Sequence, residues 1–407
     1  MMARPKRLTA WMYGSHVADI ERRGNYDIRW RYTREAFERW DPGTPLVSCS
    51  LPVSSDWQPA SPYLRGLLPE GSHLLAAAAR AGVTTADTFG LLARFGRDVA
   101  GALVVTADDA DPAASRDDAH SFEAIDDERW KQIVEAMEAN DDIIEDDSEL
   151  SLPGLQNKVL LVREEGRWAR PTKGRPSTHI LKLDEPRGRG VITGEYHASI
   201  LAAAVGVGNA AVDHTIVGGR GCMIVERFDR YLDENSSLAR LHQEDACQAL
   251  GVDHEAQRGR GKYESAGGPT LRAIAGLFRP PVAHFTRELV ALTKLVTFTV
   301  LIGNADAHGK NIGILHHADG TISLAPAYDV VPTALWPELS SAAAMSIGAA
   351  ISMAQIGRRD IVNEARAWGV DAALADRTID DVVERVVVAD IAHDELRSLV
   401  KMNLDKL

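Results

Sequence analysis

Polar and apolar residues alternate over Leu8 to Ile20 and over Tyr26 to Tyr32, the two-residue period of short strands. Val47 to Val53 reads as a further strand, closed by Pro52. The spacing then turns helical over Gly71 to Ala81 and Thr84 to Phe95. Gly96-Arg97-Asp98 stops it, and Ala102 to Thr106 returns to strand character. These elements predict a mixed α/β subdomain over residues 1–108.

A linker-like stretch (107–120) leads into 121–139, where Ile125, Trp130, Ile133, Val134 and Met137 fall on one helical face. The middle of the chain is strand-rich: Lys158 to Val162, Trp168 to Arg170, His179 to Leu183, Val212 to Val217 and Cys222 to Val225. Residues 186–194 read as a glycine-rich loop and Glu195 to Val205 as a helix. From Arg230 onward the helical period dominates, over 242–250, 270–278, 285–302, 359–367, 371–387 and 392–405, with a strand pair at Gly313–Leu315 and Ile322–Leu324. The predicted class is α+β, a mixed N-terminal half followed by a mostly helical lobe. The predicted domains are 1–108, 109–230 and 231–407.

Composition changes this picture little. The 407 residues suit two or three domains, and 45% apolar with 25% charged residues is ordinary for a globular protein. The net charge of −13 is local: residues 117–149 hold 14 acids and two bases. A basic stripe for direct nucleic-acid binding is therefore not expected. Cys49, Cys222 and Cys247 lie far apart, which argues against a disulfide framework or a zinc site. The longest apolar stretch, Leu289 to Ile302, is too short for a bilayer and contains Lys294. These features predict a cytoplasmic protein with no membrane contact.

The sharpest chemical signal is Gly303-Asn304-Ala305-Asp306-Ala307-His308-Gly309-Lys310-Asn311, directly after the long apolar helix. Small residues alternate with polar ones, and Asp306 and Asn311 stand at the D-x-x-x-x-N spacing of a protein-kinase catalytic loop. Asp329 follows at the end of a short apolar strand. Magnesium prefers oxygen ligands, so Asn311 and Asp329 suit it and Asp306 is left as a base. Lys182, inside the apolar run His179–Leu183, is the candidate phosphate cation, with Glu195 as a candidate partner. The segment Ser151 to Lys158 precedes a strand and could cradle phosphates through its backbone. By contrast Gly206 to Ala211 matches a dinucleotide fingerprint but follows a helix and precedes a strand, the reverse of the required context. His316-His317 lacks a second ligand pair for a metal.

Taken in order, these motifs resemble the HipA family of serine/threonine kinases, the toxin components of type II toxin–antitoxin pairs. The resemblance also runs through Leu67-Leu68-Pro69-Glu70, Gly96-Arg97-Asp98, Val225 to Arg230, His242-Gln243-Glu244-Asp245, Lys262-Tyr263-Glu264 and Gly267-Gly268-Pro269. It implies a two-lobed, protein-kinase-like fold and the use of ATP and Mg2+. It implies Asp306 as catalytic base and Asn311 and Asp329 as metal ligands. It implies nucleotide contacts from Pro153, Gly154, Leu155, Gln156, Asn157 and Lys158, and from Lys182, His308, Lys310 and Tyr328. Glu226, Arg227 and Phe228 would form a hinge that reads adenine through its backbone. Ser151 would be an autophosphorylation site that switches the kinase off; Asn157 stands where the family usually has an acid. The implied partners are a HipB-like helix-turn-helix antitoxin, DNA only through that antitoxin, and a protein substrate, an aminoacyl-tRNA synthetase of glutamyl type. The alternative is a catalytically weak co-repressor that holds the antitoxin on operator DNA.

Overall fold

The structure is a computed structural model that describes residues 5–24, 27–107, 122–139, 158–164, 166–171, 175–184, 190–209, 211–217, 220–235 and 237–407. Its internal contacts divide the chain into two units. One comprises Met1–Leu183 and Thr215–Glu244, the other Asp184–His214 and Asp245–Leu407. The sequence reading drew its second boundary after Arg230. The structure instead gives the segment 231–244 to the first unit and the helix Val191–Ala204 to the second.

The first unit begins with a five-stranded antiparallel sheet in the order Gln58–Pro59, Asp27–Tyr32, Ser15–Arg23, Arg7–Met12, Val104–Thr106. The alternation seen in the sequence buries Leu8, Ala10 and Met12 from one strand and Ile28, Trp30 and Tyr32 from another. The helices Gly71–Ala81 and Thr88–Phe95 contribute to the same core. Two short helices escaped the sequence reading: Arg34–Arg39, capped by the Thr33 hydroxyl, and Ser61–Gly66, with Pro62 in its first turn. Val47 to Val53 is not a strand. Only an isolated bridge joins Ser48 and Leu51, because Thr44 bonds Val53 and folds the segment on itself.

A second sheet runs Val212–Val217, Arg220–Glu226, His179–Leu183, Lys158–Glu164, Arg167–Pro171, Phe122–Ala124. One face packs Val159, Leu161, Leu181, Cys222 and Ile224 against Ile133 and Met137 of the helix Asp127–Ala139. Those two side chains belong to the face that the helical period picked out.

The second unit is mostly helical. Its core joins Ala198, Leu201 and Ala202 of Val191–Ala204 with Phe298 and Leu301 of Phe285–Leu301. Val382 and Val386 of Ala372–Val388 and Leu396 and Val400 of Asp394–Leu404 complete it. The helix Phe285–Leu301 is buried nearly all round, as its continuous apolar run requires. Its Lys294 reaches Asp381 at 2.5 Å. The strand pair Gly313–His316 and Ile322–Leu324 forms as expected. The predicted helix 242–250 is half strand: His242–Asp245 is extended and only Ala246–Ala249 is helical, started by an Asp245–Gln248 capping box. A hairpin of Ala342–Ile347 and Ala350–Ser352 was not foreseen. Among the described residues no helix is long and apolar enough to cross a membrane.

Candidate active site

In the first unit, strand register brings two lysines together. His179–Leu183 pairs with both of its neighbours, and Lys182 stands directly opposite Lys158 on one side and Met223 on the other. Leu181 points into the core packed on Asp127–Ala139, so Lys182 and Lys158 share the opposite face of the sheet. Like charges directly opposite one another oppose sheet formation. Lys182 is itself buried.

The polar run 225–230 has a different role. The Arg227 guanidinium bonds Asp229 through Nε (2.9 Å) and Nη2 (2.8 Å), and bonds the Ser177 hydroxyl through Nη1 (2.8 Å). Arg230 reaches Asp98 at 2.8 Å, and Asp229 accepts the Gly101 N–H at 2.7 Å. Burial alone would push both carboxyls up, but Arg230 and Arg227 outweigh it and hold Asp98 and Asp229 below the usual carboxylate range. The network thus ties the 96–101 turn to the end of Arg220–Glu226. It also corrects the hinge expectation at one position. The Arg227 N–H already donates to Thr178 C=O (2.9 Å) and its carbonyl accepts from Arg230 N–H, so this residue offers adenine no donor. Glu226 is exposed and Phe228 half-buried.

In the second unit the loop after Phe285–Leu301 is held from several sides. Asn403 donates to the carbonyls of Val300 and Leu301, which the helix leaves unpaired at its end. The Thr333 hydroxyl donates to Gly303 C=O and accepts from Ala305 N–H at 2.7 Å. Gly303 has φ +63°, and a Cβ there would press on Ala334. Gly309 packs so close to Pro269 and Cys247 that any side chain would collide with them. The alternation of small and polar residues in this loop therefore has a steric cause.

Held this way, Asp306 is exposed, while its neighbours Ala305, His308, Gly309 and Lys310 are buried. Its N–H donates to Asn304 Oδ1 (3.0 Å), and its Oδ1 accepts from the Tyr263 hydroxyl (2.9 Å). Asn311 donates through Nδ2 to Asp306 C=O (3.1 Å), which leaves its oxygen end to ligate a cation. Asp329 has φ +55°, a left-handed conformation uncommon outside glycine and frequent at functional sites. The preceding Tyr328 donates its hydroxyl to Lys310 C=O at 2.7 Å, which ties the strand end bearing Asp329 to the residue before Asn311. An amide oxygen and a carboxylate are hard donors of the kind magnesium takes.

Three residues expected to touch nucleotide have other engagements. The Lys310 ammonium is buried against Asp245 at 2.9 Å, so it anchors the loop to the 245–248 capping box. The Tyr328 hydroxyl is committed to Lys310, and burial pushes its pKa well above the ordinary value, so it remains a donor. His308 is buried with its ring edge-on to Tyr263, centroids 5.2 Å apart. Glu195, considered as a partner for Lys182, is buried on Val191–Ala204 in the second unit. Ser151, Pro153, Gly154, Leu155, Gln156 and Asn157 lie outside the described residues.

Two residues with clear geometry had no role in the sequence reading. Tyr263 reaches the candidate base, and Glu264 accepts from Ser346 through both its N–H (2.6 Å) and its hydroxyl (2.9 Å). The signal was present in the motif Lys262-Tyr263-Glu264, but no spacing rule connects it to Asp306, 43 positions away.

Known proteins place the chain. Residues 8–106 match the HipA N-terminal domain and residues 150–389 the HipA-like C-terminal domain. A Sinorhizobium fredii protein named "Putative kinase Y4mE" is 36% identical over 390 residues, covering 94% of this chain and 90% of its own length. A Shewanella oneidensis protein, "Serine/threonine-protein kinase toxin HipA", is 29% identical and covers 78% of this chain and 72% of its own length. The solved complex of the Shewanella oneidensis HipA and HipB toxin–antitoxin system with its operator DNA contains a chain of the same fold. It superposes with a TM-score of 0.80 at 21% identity, over 98% of this chain and 96% of that one. The α+β architecture is thus the HipA one, and the chain belongs to the HipA family.

Proposed function

We propose that this chain is an ATP- and Mg2+-dependent protein kinase that phosphorylates serine or threonine and acts as a growth-arresting toxin. The observation that carries the reading is the Gly303–Asn311 loop. It leaves Asp306 exposed while Tyr263 and Asn304 fix its orientation, and it engages the nitrogen of the Asn311 amide so that the oxygen can serve as a ligand. The names of the Sinorhizobium and Shewanella relatives support it.

Asp306 would accept the proton of the acceptor hydroxyl as its oxygen bonds to the γ-phosphorus and the bridging β–γ oxygen bond breaks, releasing ADP. Lys158 and Lys182 would hold the phosphates. Asn311 and Asp329 would hold Mg2+, which when bound neutralises charge on the β- and γ-phosphates. Ser151 would be the autophosphorylated residue. A new dianion near the phosphate-binding segment would repel ATP, an off-switch of electrostatic kind. The family resemblance further supports a HipB-like antitoxin as partner and an aminoacyl-tRNA synthetase, of glutamyl type, as substrate.

The test is a phosphoproteome after induced expression, with Asp306→Ala as control. The reading expects growth arrest, a phosphosite on a host protein and phosphate on Ser151, all absent from the variant. Equal phosphorylation and arrest with the variant would contradict it. No arrest and no phosphosite in either would favour the co-repressor alternative.

A further inference from the structure

Beside the Gly303–Asn311 loop the second unit holds a cavity that opens to solvent on one side. Among the described residues no charged side chain lines it. Its deep wall is mainly apolar, with Leu271, Val296, Ile312, Met345 and Ile347 buried alongside Asn304. At its rim Thr299, Ala307, Asn311 and Ala343 are half-buried, so it opens where the loop is exposed. One wall, the strand Ala342–Ile347, is fixed in place. Ala344 N–H donates to Ala305 C=O at 2.8 Å, and Ser346 is held by Glu264. The cavity is therefore preformed, with the largely apolar lining of a ligand pocket.

Its place decides its occupant. Ala307 follows Asp306 directly, and Asn311 bonds the Asp306 carbonyl, so the mouth adjoins the candidate base. Among the described residues its lining has no cationic side chain, and below the rim residue Asn311 the interior suits an apolar group rather than a triphosphate. An extended polypeptide advances about 3.3 Å per residue, so a chain presenting its hydroxyl to Asp306 sets its next side chains over the mouth. We propose that this cavity receives an apolar side chain, of Leu, Ile, Met or Phe size, within two residues of the phosphoacceptor in the protein substrate. It would act as a selectivity pocket; the inference rests on the kinase reading.

The experiment uses the full chain with ATP and Mg2+ on a positional-scanning library of Ser/Thr peptides, each flanking position fixed in turn. It compares the wild type with Ala343→Phe, whose ring fills the mouth, and with Met353→Ala, which enlarges the interior. The expected result is selection for Leu, Ile, Met or Phe at one flanking position by ~10-fold or more over Asp. Ala343→Phe abolishes that selection, and Met353→Ala shifts it toward larger side chains. In parallel, the same peptides carrying photo-leucine at that flank, or at each flank if none is selected, are crosslinked without nucleotide. Label on Met345 or Met353 is expected. Absence of apolar selection among accepted peptides, selection unchanged in a folded Ala343→Phe protein, or label only outside the cavity would overturn the proposal. If no peptide takes phosphate, the kinase reading fails, and the crosslink alone still decides whether the cavity binds an apolar side chain.

Discussion

The segment Val225–Arg230 and the loop Gly303–Asn311 are both charged runs set beside apolar elements, and the family resemblance assigned residues of each (Glu226, Arg227 and Phe228 in the first) to the nucleotide site. Their outcomes differ. In the first, Arg227, Asp229 and Arg230 are buried and bonded to each other, to Asp98 and to backbone groups. In the second, the buried charge is the Lys310–Asp245 pair, and Asp306 is left exposed with one carboxylate oxygen bonded to Tyr263. Charge buried among partners holds elements together; charge left accessible on a fixed frame can do chemistry. Composition and spacing do not separate the two cases, because both need the same residue types.

The widest separation should come from exchanging one carboxylate in each region. Asp306→Asn should lower phosphotransfer by more than ~10²-fold with little change in melting temperature. Asp229→Asn should cost about 3–5 kcal/mol of stability, read by denaturant titration, because it leaves Arg227 buried without its main counter-charge. If Asp306→Asn destabilised the fold as much as Asp229→Asn, the distinction would be lost.

A smaller effect is expected at Tyr263. Tyr263→Phe keeps the ring against His308 and removes only the hydroxyl that orients Asp306. It should lower kcat about tenfold, with KM for ATP little changed. A loss confined to KM for ATP would move Tyr263 out of the base-positioning role.

The smallest signal is in acid. Asp98 and Asp229 have depressed pKa values in the folded chain. Their stabilisation is complete above the unfolded carboxylate value of about 3.9 and is lost as pH falls through the lower folded values. Melting temperature should therefore drop steeply below about pH 4 in the wild type and less steeply in Asp229→Asn. Parallel pH profiles would show that these carboxyls do not control acid unfolding.

Much of this was legible in the sequence where one periodicity ruled. The strand His179–Leu183 forms with its predicted ends, and the helix Phe285–Leu301 with its small-and-polar loop stands where the pattern put it. Register was not legible. Only strand pairing sets Lys158 opposite Lys182, and no single-strand pattern carries it. The Ala342–Ile347 strand was missed because its alanines give no clear alternation, although it walls the cavity beside the loop. Tyr263 was visible as a motif residue, but its hydroxyl meets Asp306 through tertiary packing alone. Lys310 and Arg227 were assigned to nucleotide through the family resemblance alone, and spacing could not show that burial pairs them with Asp245 and Asp229.

The most direct measurement is transfer of labelled γ-phosphate from ATP to protein by the purified chain with Mg2+, comparing wild type with Asp306→Asn. The account predicts incorporation by the wild type and a loss of at least ~10²-fold in the variant, with both proteins melting together. Equal incorporation by the two, or none by a folded, metal-supplied wild type, would contradict it.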